Sequence, residues 1–528
     1  MKVLIAAAMA VGALWLYAQK SPDNRKTAAL LPSGAIFYLE AKDFHRVLTE
    51  WNASGERRRW LKSDNATVLS QSRLLQRLVE AQTQFATVAG VPVEMNMVNE
   101  LAGTESAMAF YEFSTLHFVY MTRMDGTRLD QSGLWKSRKS YQPREAAGIA
   151  FYLKTETEGR ESYTVAFASH DGWLIVATDA ELMARTLALL AGQAASSVST
   201  EAWYQDTVAQ APQLGALRLV YNFTALRKSP QFRTYWIQRN QTELAAFTSG
   251  SADLFELPAG FEERRVLLGP TASEVNGSAF SKVVGHIPQN ASVYRAWANP
   301  NRALVRSALQ QVVVSDPASG IEDIRNAPQV SSDAPIAGSE SDLETRIDEP
   351  PFQRSSANNV DALTDALMAM EPKALLHSQV THVTGDRVFV LPESEVALAC
   401  AKPDRTALDK ALRSSINLVK TGSLDPLRTS DDNGVLLLSR LTAHAAIQAP
   451  TVVKGETYLA DYEHAAEWPR YRRLFGVIDH KTGEAPAFFS SNLEGLGDSL
   501  YRLRRVSMTT QEEGEVTRDT VRYEFLTK

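Results

Sequence analysis

A chain of 528 residues with 44% hydrophobic and 22% charged residues is too long for one ordinary core, and its composition excludes a disordered or fibrous protein. The formal net charge of −6 supplies no global field for nucleic acid. The single cysteine, Cys400, excludes an intramolecular disulfide and any paired-cysteine metal or redox site.

After Met1-Lys2, residues 3–19 (VLIAAAMAVGALWLYAQ) carry no charge until Lys20. A bilayer-spanning helix needs roughly 17–25 such residues, and the apolar region of a secretory signal needs fewer. Leu16 is large where a cleavable signal wants a small residue, whereas Trp15 and Tyr17 suit interfacial anchoring. The expectation for 1–19 is an uncleaved membrane anchor, with a cleaved signal peptide or a buried helix as alternatives. Lys20, Arg25 and Lys26 outnumber Lys2, so the positive-inside rule alone does not favour export. The absence of a later apolar span keeps a periplasmic, extracytoplasmic body as the expected arrangement.

Residues 20–29 read as a polar linker. "AIFYLEA" (35–41) reads as a strand, and Phe44, Val47, Leu48 and Trp51 then fall on one helical face. A second amphipathic helix is expected over 68–89, with Leu74, Leu78, Ala81, Phe85 and Val88 in one stripe. From Gly103 the period changes to strands. "SAMAFYEF" (106–113) and "HFVYMTRM" (117–124) make a hairpin, and 148–154, 162–168 and 173–177 continue as a meander with the turn "SHDG" (169–172). Thr178 and Glu181 are spaced as a capping box opening a helix to about Gly192.

The opening recurs. With a constant offset Pro32, Ala35, Tyr38, Arg46 and Leu48 fall on Pro288, Ala291, Tyr294, Arg302 and Leu304. The second half then offers a helix carrying Leu304, Ala308 and Val312, and an acidic, Pro/Ser-rich insertion over 315–359 expected to be disordered. A helix follows at 361–370, and a hairpin is expected from 385–391 with 394–401. "DDNGVLLLSRL" (431–441) parallels "SHDGWLIVA". Residues 467–496 parallel 201–226, and 503–525 parallel 263–283. The expected fold class is therefore α+β. Two related mixed lobes, residues 30–285 and 286–528, are each built on an antiparallel meander with packed helices behind the N-terminal hydrophobic helix.

No catalytic motif emerges. Histidines form no HExxH pair, and no nucleophile elbow, P-loop or dinucleotide fingerprint is present. His170-Asp171 is explained by turn geometry. Cys400 sits in an apolar strand, where a thiol behaves as a small hydrophobe. The candidate binding residues are two basic-aromatic clusters, Arg57, Arg58, Arg59 and Trp60, and Arg470, Arg472 and Arg473, which suit lipid phosphates or an acidic partner. Of the pairs Arg264-Arg265 and Arg504-Arg505, at most one member each should face inward.

"LLPSGAIFYLEAKDF" after a short linker, and its echo at Ile287-Pro288, resemble bacterial envelope proteins with one N-terminal membrane helix and a duplicated α+β body. The resemblance implies a membrane-tethered location and carries over no functional residue. The resulting expectation is a non-catalytic cell-envelope protein acting in binding or scaffolding, without cofactor or metal. Its partners would be the membrane, through the N-terminal helix, and an envelope protein or lipid, but not nucleic acid. A carrier of a lipid or other apolar ligand, and a hydrolase with a dispersed site, are the alternatives.

Overall fold

The computed structural model of the protein describes residues 26–62, 73–112, 116–158, 161–193, 196–228, 246–270, 275–313, 357–381, 392–415, 428–441, 450–468 and 502–526. The expected anchor over 1–19 lies outside the described residues, as do most of the linker and nearly all of the acidic insertion. Among the described residues no helix is long and apolar enough to cross a membrane. The chain divides into two units, one built from 1–62, 69–256 and 264–270, the other from 63–68, 257–263 and 271–528.

The first unit opens earlier than the sequence suggested. Thr27–Ala29, read as linker, is a 3-10 turn with Thr27 and Ala28 buried, and Thr27 Oγ1 lies 2.6 Å from the Tyr38 hydroxyl. Strand β1 (Phe37–Ala41) leads to helix α1 (Phe44–Ala53), whose N-cap Asp43 accepts from the Arg46 amide. Helices α2 (Gly55–Lys62), α3 (Arg73–Ala89) and α4 (Met95–Leu101) follow. After β2 (Ser106–Glu112) and β3 (His117–Arg123) come the short helices α5 (Gly126–Gln131) and α6 (Gly133–Lys136). A meander β4 (Gln142–Ala146), β5 (Ile149–Glu158), β6 (Glu161–His170) and β7 (Trp173–Ala177) precedes helices α7 (Ala180–Leu190) and α8 (Ala202–Gln210). Strand β8 (Leu217–Asn222), the helical turn α9 (Phe223–Leu226) and β9 (Ser249–Leu257) complete the elements, and β10 (Gly260–Leu268) is shared, with 260–263 in the second unit and 264–268 in the first.

The strands pair antiparallel in the order β9-β8-β1-β2-β3-β7-β6-β5-β4. Period-2 alternation gives this sheet two apolar faces. Tyr38, Ala107, Ala109, Val119, Met121 and Ile175 face the side covered by Met183 and Leu187 of α7 and Tyr204 of α8. Val165, Phe167, Leu174 and Val176 face the other side, covered by Val88 and Ala89 of α3, Met97 and Leu101 of α4, Leu129 of α5 and Leu134 of α6. Each buried side chain of this size contributes about 1.5–3 kcal/mol of transfer free energy. The capping residue of α7 is not the expected one. Asp179 accepts from the Leu182 amide, while Thr178 Oγ1 accepts from the Phe118 amide and donates to the Leu116 carbonyl. An ionised carboxylate is the stronger cap at a helix N-terminus, which frees the hydroxyl to join two strands.

The second unit contains α10 (Gly277–Val284), β11 (Val293–Ala298), α11 (Arg302–Val313), α12 (Ala357–Ala369), β12 (Pro372–Thr381), β13 (Pro392–Cys400) and α13 (Arg405–Ser415). Strands β14 (Arg428–Asp432), β15 (Val435–Ser439), β16 (Glu456–Glu463), β17 (Leu503–Glu513) and β18 (Val516–Phe525) follow. Their order is β18-β17-β16-β11-β12-β13-β15-β14, again antiparallel throughout. The succession β9-β8-β1-β2-β3-β7-β6 of the first unit thus has its counterpart in β17-β16-β11-β12-β13-β15-β14 of the second. Both terminal hairpins of that succession turn through two residues of positive φ, Asp171 (49°) with Gly172 (80°) and Asn433 (54°) with Gly434 (80°). These are the values a type I′ turn demands.

Three details of the internal correspondence change. The partner of β13 is β12, residues 372–381, whereas 385–391 lie outside the described residues. β8 corresponds by strand order to β16, while 469–496 lie outside the described residues; β9 corresponds to β17, and β10, which covers 263–268 and pairs with β9, to β18. The last three residues of the 315–359 insertion, 357–359, belong to α12.

Candidate functional site: an apolar cavity in the first unit

The register of β1, β2 and β3 determines what the second face of the sheet offers. Leu39 pairs with Met108 and Phe37 with Phe110, while Met108 pairs with Tyr120 and Phe110 with Phe118. Alternation therefore lines up Leu39, Met108 and Tyr120 in one row and Phe37, Phe110 and Phe118 in the next. The rings of the second row stack, Phe37 on Phe110 at 5.0 Å and Phe110 on Phe118 at 6.5 Å, and Phe85 of α3 stacks on Phe118 at 6.2 Å. Phe44 of α1 meets Tyr120 edge-on at 6.4 Å.

Three hydrogen bonds hold α3 and α4 over this face. Tyr141 donates to the Ala89 carbonyl (3.0 Å), Tyr120 to the Leu101 carbonyl (3.0 Å), and the Gln84 amide to the Tyr163 hydroxyl (3.1 Å). The Gln82 amide closes the α3–α4 connection on the Val93 carbonyl. Burial raises the pKa of both Tyr120 and Tyr141, so these phenols stay neutral donors.

Between helices and sheet remains a partly open cavity of about 460 Å³. Its floor is Leu39, Met108, Phe110, Phe118, Tyr120, Val165 and Val176, and its roof is Phe85, Val88, Val93, Met97, Val98 and Leu101. Among the described lining residues there is no Asp, Glu, Lys or Arg. A concave space of a few hundred Å³ lined by aromatic and aliphatic side chains is the form small-molecule sites take.

The second unit is different at the same place. There Arg295 pairs with His377, in the positions that Leu39 and Met108 occupy in the first unit by strand order and pairing, and Arg295 also matches Leu39 by the constant offset. His377 is fully buried, Arg295 Nη2 lies 3.5 Å from its Nδ1, and Gln311 of α11 accepts from the same Arg295 nitrogen at 3.1 Å. Helices α11, α12 and α13 close over this face with Val305, Leu309, Leu363, Leu367 and Leu408. A smaller cavity of about 190 Å³ lies beside Cys400, with Asp404, Arg405 and Asp431 on its wall. Burial, with Asp431 adding to it, pushes the Cys400 thiol up to about 11, the opposite of an activated nucleophile. Ser292 and Thr381 hydroxyls both donate to the buried Glu467 carboxylate, which ties β11 and β12 to the segment after β16.

The basic clusters do not form a described site. Arg57 is half-buried, and Arg58 is exposed and donates to the Ala53 carbonyl at 2.7 Å. The side chains of Arg59 and Trp60, and all of Arg470, Arg472 and Arg473, lie outside the described residues. His170 and Asp171 occupy the β6–β7 turn. Arg505 clamps the buried Asp461 through Nε at 2.9 Å, and Arg504 reaches Glu463 from the exposed side. Among the described residues no group of three or more His, Cys, Asp or Glu side chains could hold a metal ion.

No protein-family model matches the chain, and no curated protein is significantly similar to it. Among solved structures, crystal form I of TP0453 is similar at 13% sequence identity, over 51% of this chain and 88% of that one, with a TM-score of 0.25. A likeness that slight carries no argument.

Proposed function

We propose that the protein binds an apolar ligand, and that the cavity over β1, β2, β3 and β6 is where it sits. The single observation behind this reading is about 460 Å³ of space lined by aromatic and aliphatic side chains, with no charged side chain among the described lining residues. A ligand that fills an apolar space of this size gains dispersion contacts with its lining. Each methylene brought in from water contributes about 0.8 kcal/mol. The binding role expected from the sequence thereby becomes that of a carrier or sensor of an apolar molecule. A membrane tether through residues 3–19 would keep such a protein beside a source of apolar ligands. The body is read as a duplicated α+β unit, supported by the shared strand succession and the paired type I′ turns. In this reading the first copy keeps the cavity, and the second places Arg295 and His377 where it would be.

Titration of the full-length protein with N-phenyl-1-naphthylamine, an uncharged apolar fluorophore, tests the reading. The wild type should bind it saturably. Met108→Trp, which fills the floor of the cavity, should weaken binding at least tenfold with an unchanged circular dichroism spectrum. Undiminished binding by a folded Met108→Trp variant would place the ligand elsewhere.

A further inference from the structure

Helix α1 has an apolar side of which nothing is buried. Phe44, Val47, Leu48 and Trp51 lie at i, i+3, i+4 and i+7, the spacing that on most surface helices faces a core. Phe44 lines the cavity, Val47 and Leu48 are half-buried, and Trp51 at the far end is 45% exposed. The stripe therefore leads from the cavity out to solvent. On α2, which follows directly, Leu61 is 56% exposed. Positive charge gathers where the stripe ends, because α2 reads GERRRWLK, four basic residues against one acidic. Ser54 joins the two helices, its hydroxyl donating to the Trp51 carbonyl at 2.7 Å and accepting from the Arg57 amide at 3.1 Å. The exposed Arg58 donates to the Ala53 carbonyl at 2.7 Å, which sets its guanidinium beside the last turn of α1, the turn that carries Trp51. The single acidic residue of α1, Glu50, is paired with Arg46 at 2.9 Å.

We propose that α1 and α2 dock on an anionic lipid surface, with Trp51 and Leu61 in its interfacial layer. The apolar ligand then passes between that surface and the cavity along the stripe of α1; this passage rests on the ligand-binding reading above, and the docking does not. An indole suits the boundary between headgroups and acyl chains, being apolar with one polar edge. Basic residues beside such side chains are drawn to anionic headgroups, and salt screens the attraction. A second copy docked face to face would instead set the two basic helices against each other.

Full-length protein carrying Cys400→Ala and Trp51→Cys, labelled at position 51 with the fluorophore NBD, tests the docking on vesicles that contain nitroxide-labelled phosphatidylcholine. Glu145→Cys on the exposed edge strand β4, labelled likewise, is the control, and each variant must keep the wild-type circular dichroism spectrum. With phosphatidylglycerol in the vesicles, position 51 should be quenched at least twice as strongly as position 145. Raised salt, or Arg58→Glu, should remove at least half of that difference. Equal quenching at the two positions, or the same quenching at 51 on vesicles of phosphatidylcholine alone, would overturn the docking, whether or not residues 3–19 enter the bilayer. A blue shift at 51 that grows with protein concentration without vesicles would give the face to a second copy and overturn it too. Binding of N-phenyl-1-naphthylamine keeps the two readings apart. Docking without probe binding would remove the passage and the ligand-binding reading, whereas probe binding without quenching at 51 would remove the docking and the passage and leave the cavity reading in place.

Discussion

Replacing Asp253 with alanine should destabilise the protein by about 3–5 kcal/mol, because it strands a buried guanidinium. Asp253 and Arg218 face each other on β9 and β8, with side chains only 2% and 7% exposed, and Arg218 Nε donates to Asp253 Oδ1 at 2.8 Å. The same carboxylate oxygen accepts from the Gly215 amide at 3.0 Å, and Arg218 Nη2 donates to the Ala211 and Gln213 carbonyls at 2.6 Å each. The pair therefore ties the loop before β8 to the sheet that carries the cavity. Removing the carboxylate leaves the two carbonyl contacts and, as the remaining counter-charge, Glu40, which faces Arg218 from β1 and whose own pKa burial raises. The double variant Arg218→Met/Asp253→Leu removes both charges and should recover most of the loss. Urea unfolding of the three proteins measures this. Equal losses in the single and double variants would show that the bonds to the loop, and not charge compensation, dominate.

Stability should fall steeply on the acid side, and His377 should account for much of the fall. Burial, seconded by the facing Arg295, lowers the His377 imidazole from its ordinary value of 6.5 to about 3. Its neighbours across β13 and β15 in the same row, Val396 and Leu438, are apolar. Between those two values the unfolded chain takes up a proton that the folded chain refuses. Stability from this group is therefore complete above pH 6.5 and declines as pH drops, by about 1.4 kcal/mol per pH unit and roughly 5 kcal/mol across the window. His377→Gln keeps an acceptor for Arg295 and cannot titrate. Its unfolding free energy, followed from pH 7 to pH 4, should decline less than that of the wild type. Parallel curves would mean that His377 is protonated in the folded state as readily as in the unfolded one.

The turns and amphipathic strands were legible because their signals are local. Asp171-Gly172 and Asn433-Gly434 name a type I′ turn in two letters, and the flanking runs have strand length and composition. β12 was missed for the opposite reason. "PKALLHSQVT" is buried at nearly every position, so neither face shows the alternation by which a strand is recognised. Without β12, the sequence offers 385–391 as the nearest apolar run to pair with 394–401.

The cavity itself was not legible, since a void is a property of how far α3 and α4 stand from the sheet. Its floor was foreshadowed only by the aromatic-rich strands around Met108, Phe110, Phe118 and Tyr120. The arginine clusters drew notice because charge is conspicuous in a sequence, whereas Leu39 and Met108 are unremarkable letters. Their significance appears when they are set against Arg295 and His377 in the second unit. The same two positions are apolar over an open space in one unit, and polar beneath packed helices in the other.

The central claim is that the first unit holds an apolar molecule between its helices and its sheet. Full-length protein purified without added lipid, then denatured and extracted with organic solvent, tests it by mass spectrometry of the extract. An equimolar apolar molecule from the wild type, and none from Met108→Trp, is the predicted result. Equal amounts from the two proteins, or nothing from either, would contradict it.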